Sequence, residues 1–264
     1  MHVIPSDIHL QMGTLLYEGL DQMDLTGPFE VLSRIPNATY RIYSNTNVAA
    51  RDVKGLRLPP DATLIEAPAL DVLHVPGGPG QEALMEAADV LDWIRQQAGG
   101  ACRIFSVCTG ALLCGAAGLL KGRRATTHWA ALHLLPFFGA IPVNERVVWD
   151  GASVFAAGVT AGIDGALALA AELRGDACAQ AIRLEMVYAP ETAPAPRRGA
   201  SLAQPCGVSG TARADRTSRS GAAWRRGACA GRVSISRESR QHCRGSMEVF
   251  ANEHFPRAHA RIRS

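Results

Sequence analysis

The sequence predicts an α/β fold built on a mostly parallel sheet, followed by a segment outside that pattern. Three observations carry this reading. Short β-branched and aromatic runs alternate with longer stretches of helical character. Key runs stop at glycine, proline or another small residue, where a strand turns over a sheet edge into a helix. Near Thr192 the composition changes abruptly, and only the residues before it show the alternation.

In chain order, the first strand is expected over about Ile8–Tyr17. A helix follows over Pro28–Arg34, with Pro28 at its first position, Thr26 or Gly27 as cap, and Asp24 just ahead of it. Thr39–Ser44 is the second strand, and Arg51–Leu58 a small hairpin appended to the sheet. Leu70–Val75 is a buried strand ending in Pro76-Gly77-Gly78-Pro79-Gly80, and Gln81–Gln97 a helix. Cys102–Val107 is the next strand and Thr109–Leu119 its crossover helix. Glu145–Phe155 reads as a second appended hairpin turning at Asp150-Gly151, and Ala161–Leu173 and Ala177–Val187 as the last helices. No internal repeat is present.

A chain of 264 residues with 47% apolar residues can bury a full core, and 19% charged residues is ordinary for a globular protein. No membrane span is expected, and the first residues lack a basic, then apolar, leader. A cytoplasmic protein with no membrane partner is expected. Seven cysteines without framework spacing are read as reduced thiols, which leaves the sequon Asn37-Ala38-Thr39 idle.

The net charge of +3 conceals a division into 1–191 and 192–264. From Thr192 onward there are fourteen Arg, no Lys and four acidic residues, giving +10 against −7 before it. This tail, rich in Arg, Gly and Ser, has neither helical nor strand periodicity, and it is expected to be disordered. Cys206, Cys229, Cys243 and His242 form no C-x-x-C pairing, and no ligand-spaced cluster precedes them, so no metal is expected.

Candidate chemistry gathers at strand ends. Cys108 stands where an expected strand passes into a helix, and ligands of open α/β sheets collect at that edge. Ser106 and Gly110 flank it as small residues, as a sharp strand-to-helix elbow demands. The free N–H groups at the start of that helix favour a thiolate. The plain alternative is a packed core thiol, the reading given to Cys102, Cys114 and Cys178. The turn holding Gly77 and Gly78 lets backbone N–H groups approach a bound atom, as in an oxyanion hole, but glycine turns after strands are common. Its spacing is neither a dinucleotide fingerprint nor a phosphate loop. Asp24, at the same edge, is either a partly buried proton carrier or a loop carboxylate favouring a helix dipole. Asp21 is a weaker candidate for that role.

Taken in order, Asp24-Leu25-Thr26-Gly27-Pro28, Val75-Pro76-Gly77-Gly78, Ser106-Val107-Cys108-Thr109-Gly110 and Arg124-Ala125-Thr126-Thr127-His128-Trp129 resemble the ThiJ/PfpI superfamily, of the class I glutamine amidotransferase-like fold. The likeness runs from about Ile8 to Pro190 and is strongest to its isonitrile hydratases. It implies a flavodoxin-like three-layer sandwich, a homodimer and a cofactor-independent hydro-lyase that adds water to an isonitrile to give an N-substituted formamide. By the same resemblance Cys108 is the nucleophile, Asp24 the general acid and base, and Thr109 a residue needed beside the cysteine. Gly78 and the N–H after the elbow match the anion-stabilising position, and His128 stands where the superfamily often has a histidine near the cysteine.

Two other functions fit parts of the sequence. Glyoxalase, deglycase and thiol redox-sensing relatives also use an elbow cysteine, but pair it with Glu rather than the Asp of this motif. AraC-type regulators place the same domain ahead of a helix-turn-helix pair, yet the tail lacks two amphipathic helices, so no specific nucleic-acid partner is expected. Family members continue with an acidic linker and a helical end, whereas this chain turns to arginine. A frameshift in GC-rich coding sequence produces such a composition, as does a real basic extension.

Overall fold

The structure, a computed structural model, describes residues 3–189. The expected boundary at Glu191 and the character of the tail from Thr192 lie outside the described residues. Those up to Val187 fall within one compact unit, and Tyr188 and Ala189 open another, whose remaining residues are not described.

The elements in chain order are β1 (Leu10–Leu16), α1 (Gln22–Leu32), β2 (Ala38–Ser44), β3 (Ala50–Arg51), β4 (Arg57–Leu58), β5 (Ala62–Thr63), β6 (Val72–Val75), α2 (Gln81–Leu84) and α3 (Ala88–Gly100). After them come β7 (Arg103–Val107), α4 (Gly110–Ala116), β8 (Arg124–Ala125), β9 (Ile141–Pro142), β10 (Val147–Asp150), β11 (Ser153–Ala156), α5 (Thr160–Arg174) and α6 (Asp176–Glu185). Trp129–Phe138 winds as 3-10 helix between β8 and β9.

Seven strands form one sheet in the order β10-β11-β7-β6-β1-β2-β5, parallel throughout except for the β10–β11 pair. Side chains alternate across it. Leu73, Val75 and Ile104 enter the core shared with Ile94 of α3 and Leu112 of α4. On the other face, α5 packs so closely that Gly165 abuts Phe105 while Gly162 abuts Val107 and Pro28. Helices thus cover both faces of a mostly parallel sheet, the expected α/β architecture.

Several local expectations are corrected. Helix α1 starts at Gln22 rather than Pro28, because Asp21 caps it by accepting from the Met23 N–H at 3.0 Å. Pro28 then lies inside the helix and Asp24 in its first turn. The expected Gln81–Gln97 helix is two, since Ala87 adopts an extended backbone and starts α3 afresh. Helix α4 is shorter than expected: Gly118, at φ 83°, ends it by donating to the Gly115 carbonyl. Arg51–Leu58 forms its own two-stranded piece, but β10–β11 is not an appendage: β11 pairs in parallel with β7 inside the main sheet.

Candidate active site

Because β11, β7, β6 and β1 are parallel neighbours, their carboxyl ends open on one edge, and each leaves the sheet through a turn bearing a site residue. Cys108 follows β7. Its N–H donates to the Ala156 carbonyl of β11 at 2.9 Å, which continues the sheet register one residue beyond the strand. Its φ is +56°, a left-handed conformation unusual for a residue with a Cβ. The Thr127 hydroxyl donates to the Cys108 carbonyl at 2.7 Å and helps hold that turn. A Cβ at position 110 would sit 2.1 Å from the Val75 carbonyl oxygen, so the elbow closes only with glycine there.

The glycine turn after β6 fits against this elbow. A Cβ on Gly77 would lie 2.5 Å from the Thr109 nitrogen and 2.9 Å from the Cys108 Cβ. Gly78, at φ 129°, lies so close to the loop before α1 that a Cβ would meet the Asp21 nitrogen at 2.2 Å. The Gly77 carbonyl accepts from the Asp21 N–H at 2.9 Å. Thr109 Oγ1 accepts from the Gly78 N–H at 2.9 Å, so that amide is engaged by the protein rather than open to a bound anion. The Thr109 main-chain N–H faces the Cys108 sulfur instead.

Asp24 is fully buried. Its Oδ1 accepts from the Val159 N–H at 2.8 Å, across from the turn after β11. Its Oδ2 makes no hydrogen bond of full geometry, and the carboxyl group lies against the Cys108 thiol and the Gly77 N–H. Burial, then the nearby Asp21, raise the carboxyl to about 7, against the pull of the Val159 N–H, the Cys108 thiol and the Gly77 N–H. Asp21, spent on capping α1, is not positioned as the proton carrier.

Cys108 corrects one expectation. Burial foremost, and then the Asp24 carboxylate, push its thiol well above the ordinary range, while the Thr109 N–H acts the other way. A helix of only seven residues supplies too little partial charge to reverse desolvation. At rest the sulfur therefore keeps its proton, and the Asp24 carboxyl beside it is the group that titrates.

His128 begins the 3-10 segment, where its Nδ1 accepts from the Ala130 N–H at 3.4 Å. Gly158 separates its ring from the cysteine: a Cβ there would be 3.3 Å from Cys108 Sγ and 3.5 Å from His128 Cδ2. Cys108, Asp24, Thr109, Gly77, Gly78 and His128 thus gather around one point. Cys114 is a buried core thiol and Cys178 is half-buried, whereas Cys102, expected in the core, is exposed.

Three neighbours escaped sequence reasoning. Val159 holds Asp24 from φ +42°, a strained conformation for a β-branched residue. Gly158 leaves the space between sulfur and imidazole. Their signal is a strand ending in Ala-Ala-Gly-Val-Thr, the same small-residue pattern as at the other two turns. Tyr17, buried, donates to the Pro76 carbonyl at 3.0 Å, and its phenol is held up by burial and then by Asp24 and Cys108. Nothing in the sequence marked it. Among the described residues, no three His, Cys, Asp or Glu side chains converge to hold a metal.

The sequence profile of the DJ-1/PfpI family matches residues 13–172. An isonitrile hydratase from Pseudomonas putida is 50% identical over 181 residues, covering 69% of this chain and 79% of that protein. Among solved structures, a ThiJ/PfpI family protein from Pseudomonas syringae superposes with TM-score 0.70 at 38% identity, covering 75% of this chain and 81% of the other. Drosophila melanogaster DJ-1beta shares the fold with TM-score 0.61 at 23% identity, covering 69% of this chain and all of that one.

Proposed function

The chain belongs to the DJ-1/PfpI family, and from that premise we propose that it is an isonitrile hydratase, a hydro-lyase converting R–NC and water to R–NH–CHO. The observation that supports it most is the buried pair itself: a cysteine at a left-handed elbow facing a carboxyl group that titrates at about 7.

An isonitrile carbon carries a lone pair and becomes electrophilic once protonated. The Cys108 proton passes to Asp24. The neutral acid then delivers it to the isonitrile carbon as the thiolate attacks, giving the thioimidate R–N=CH–S-Cys without a free nitrilium ion. Asp24, now ionised, takes a proton from water as the oxygen adds to the same carbon and passes it to nitrogen. Collapse of R–NH–CH(OH)–S-Cys releases the formamide, and the hydroxyl proton returns to the Asp24–Cys108 pair. Thr109 positions the glycine turn and aims its own N–H at sulfur. His128 borders the site beyond Gly158. No step requires a metal or cofactor.

The rest of the reading follows from family and chemistry. The active form is a homodimer, as the family resemblance implies. A reduced nucleophilic thiol suits the cytoplasm, and no helix among the described residues is long and apolar enough to cross a membrane. The catalytic domain is residues 1–191, and the segment from Thr192 takes no part in the chemistry.

The test is incubation of the purified chain with aryl and alkyl isonitriles, with chromatographic detection of the matching formamides. Formamide production that depends on Cys108 supports the reading. Turnover of methylglyoxal with isonitriles untouched overturns it in favour of a glyoxalase-like activity.

A further inference from the structure

Beneath the site, on the α1 side of the sheet, a second buried polar group takes no part in the steps above. His74, on β6, is wholly inaccessible to solvent. Its ring stacks on Phe105 at 5.2 Å between centroids, and its Nδ1 lies 2.6 Å from the Tyr40 hydroxyl of β2. The imidazole also lies against the main-chain carbonyl of Asp24, and its Nε2, buried, makes no hydrogen bond of full geometry. That carbonyl has a deficit written in the sequence. In an α-helix it accepts from the N–H four residues on, and here that residue is Pro28, which has none.

We propose that His74 is a positioning residue for Asp24: its Nε2–H takes the place of the hydrogen bond Pro28 cannot give and fixes the first turn of α1 that carries the carboxyl group. This rests on the catalytic role given to Asp24 above. A carbonyl only accepts, so the ring nitrogen facing it bears the proton. In a neutral imidazole Nδ1 is then an acceptor, which Tyr40 supplies with its O–H. Burial keeps the ring neutral, with its pKa driven down to about 3. Asp24 is thereby held at three points: its own N–H donates to the Asp21 carbonyl at 3.1 Å, its carbonyl faces His74, and its Oδ1 accepts from Val159. Only Oδ2 is left for the chemistry. The groups facing the carboxyl are Asp21 from the α1 cap, Cys108 from the elbow and Tyr17 from the end of β1, with His74 behind the main chain.

Two experiments test this, one independent of any substrate. Nitrogen NMR of histidine-labelled protein reads the tautomer directly. The expected state is a protonated Nε2 and an unprotonated Nδ1 that does not titrate between about pH 5 and 8. The opposite tautomer, or a titrating ring, overturns the proposal whether or not isonitriles are substrates. The second is kinetic. His74→Leu is expected to lower kcat by about 10- to 100-fold with little change in KM, the scale of a small misplacement of a reacting group. It should also move the pH profile of kcat/KM. His74→Gln, whose amide can accept from Tyr40 and donate to the carbonyl, should recover most of the rate. Pro28→Ala gives the Asp24 carbonyl a helical donor, so His74→Leu in that background should cost far less. An equal loss in both backgrounds, or a folded His74→Leu with unchanged kcat and pH profile, overturns it. Where His74→Leu fails to fold, the NMR result decides.

Discussion

Replacing Asp24 with Asn removes the ionisable group from the buried pair and should stabilise the fold while disabling catalysis. In the folded protein this carboxyl titrates at about 7 against an ordinary 3.8. At roughly 1.4 kcal/mol per pH unit, holding it ionised above pH 7 costs the fold about 4 kcal/mol. The sign follows from the raised value. The stabilising contribution of the protonated form is complete below the unfolded value, shrinks as pH rises, and is gone above about 7. Asparagine is neutral at every pH and avoids the loss. Its amide can still accept from the Val159 N–H, but its NH₂ replaces an acceptor oxygen in a site shared with the Gly77 N–H and the Cys108 thiol, a donor clash costing about 1–3 kcal/mol. The net gain at pH 8.5 is therefore roughly 1–3 kcal/mol. The change between pH 5 and pH 8.5 is cleaner, because the donor clash cancels: the mutant should gain on wild type by roughly 2–3 kcal/mol. Urea unfolding followed by circular dichroism at both pH values measures it. Turnover should fall by at least about two orders of magnitude. A stability difference that is the same at both pH values, or that favours wild type more at pH 8.5, refutes the assignment of a protonatable buried Asp24.

Cys108→Ala should abolish formamide production and leave the fold intact, whereas Cys102→Ala and Cys114→Ala retain much of the activity; an active Cys108→Ala ends the thioimidate mechanism. Cys108→Gly should be inactive too, yet more stable than Cys108→Ala by roughly 1 kcal/mol, because only glycine adopts φ +56° without strain. Thr109→Val leaves the buried Gly78 N–H without its acceptor and should lose about 1–3 kcal/mol in thermal unfolding, while Thr109→Ser stays close to wild type. Truncation after Glu191 should leave turnover within about two-fold and remove any weak, salt-sensitive DNA retention. A footprint on one duplex sequence at physiological salt would instead favour a regulator.

The sequence by itself determined the alternation of strands and helices, and with it the parallel sheet and the edge where chemistry gathers. Hydrophobic runs ending in small residues are a local signal, and Cys108, Gly77 and Gly78 all stand on one. Asp24 was legible as a residue near a helix start, but not as a residue inside the helix. Pro28 suggested a start, whereas the real cap, Asp21, won because its carboxylate met the Met23 N–H and its own N–H met the Gly77 carbonyl of a distant turn. Only the tertiary structure decided what each group is chemically. The elbow and the helix expected behind it suggested a thiolate; desolvation and the carboxylate brought by α1 made it a raised thiol beside a raised acid. Val159, Gly158, Tyr17 and His74 belong to this environment because three-dimensional packing, not spacing along the chain, sets which dipoles and charges share a dry volume. Electrostatic energies depend on distance and dielectric, and a linear sequence gives neither until the sheet has set its strands side by side.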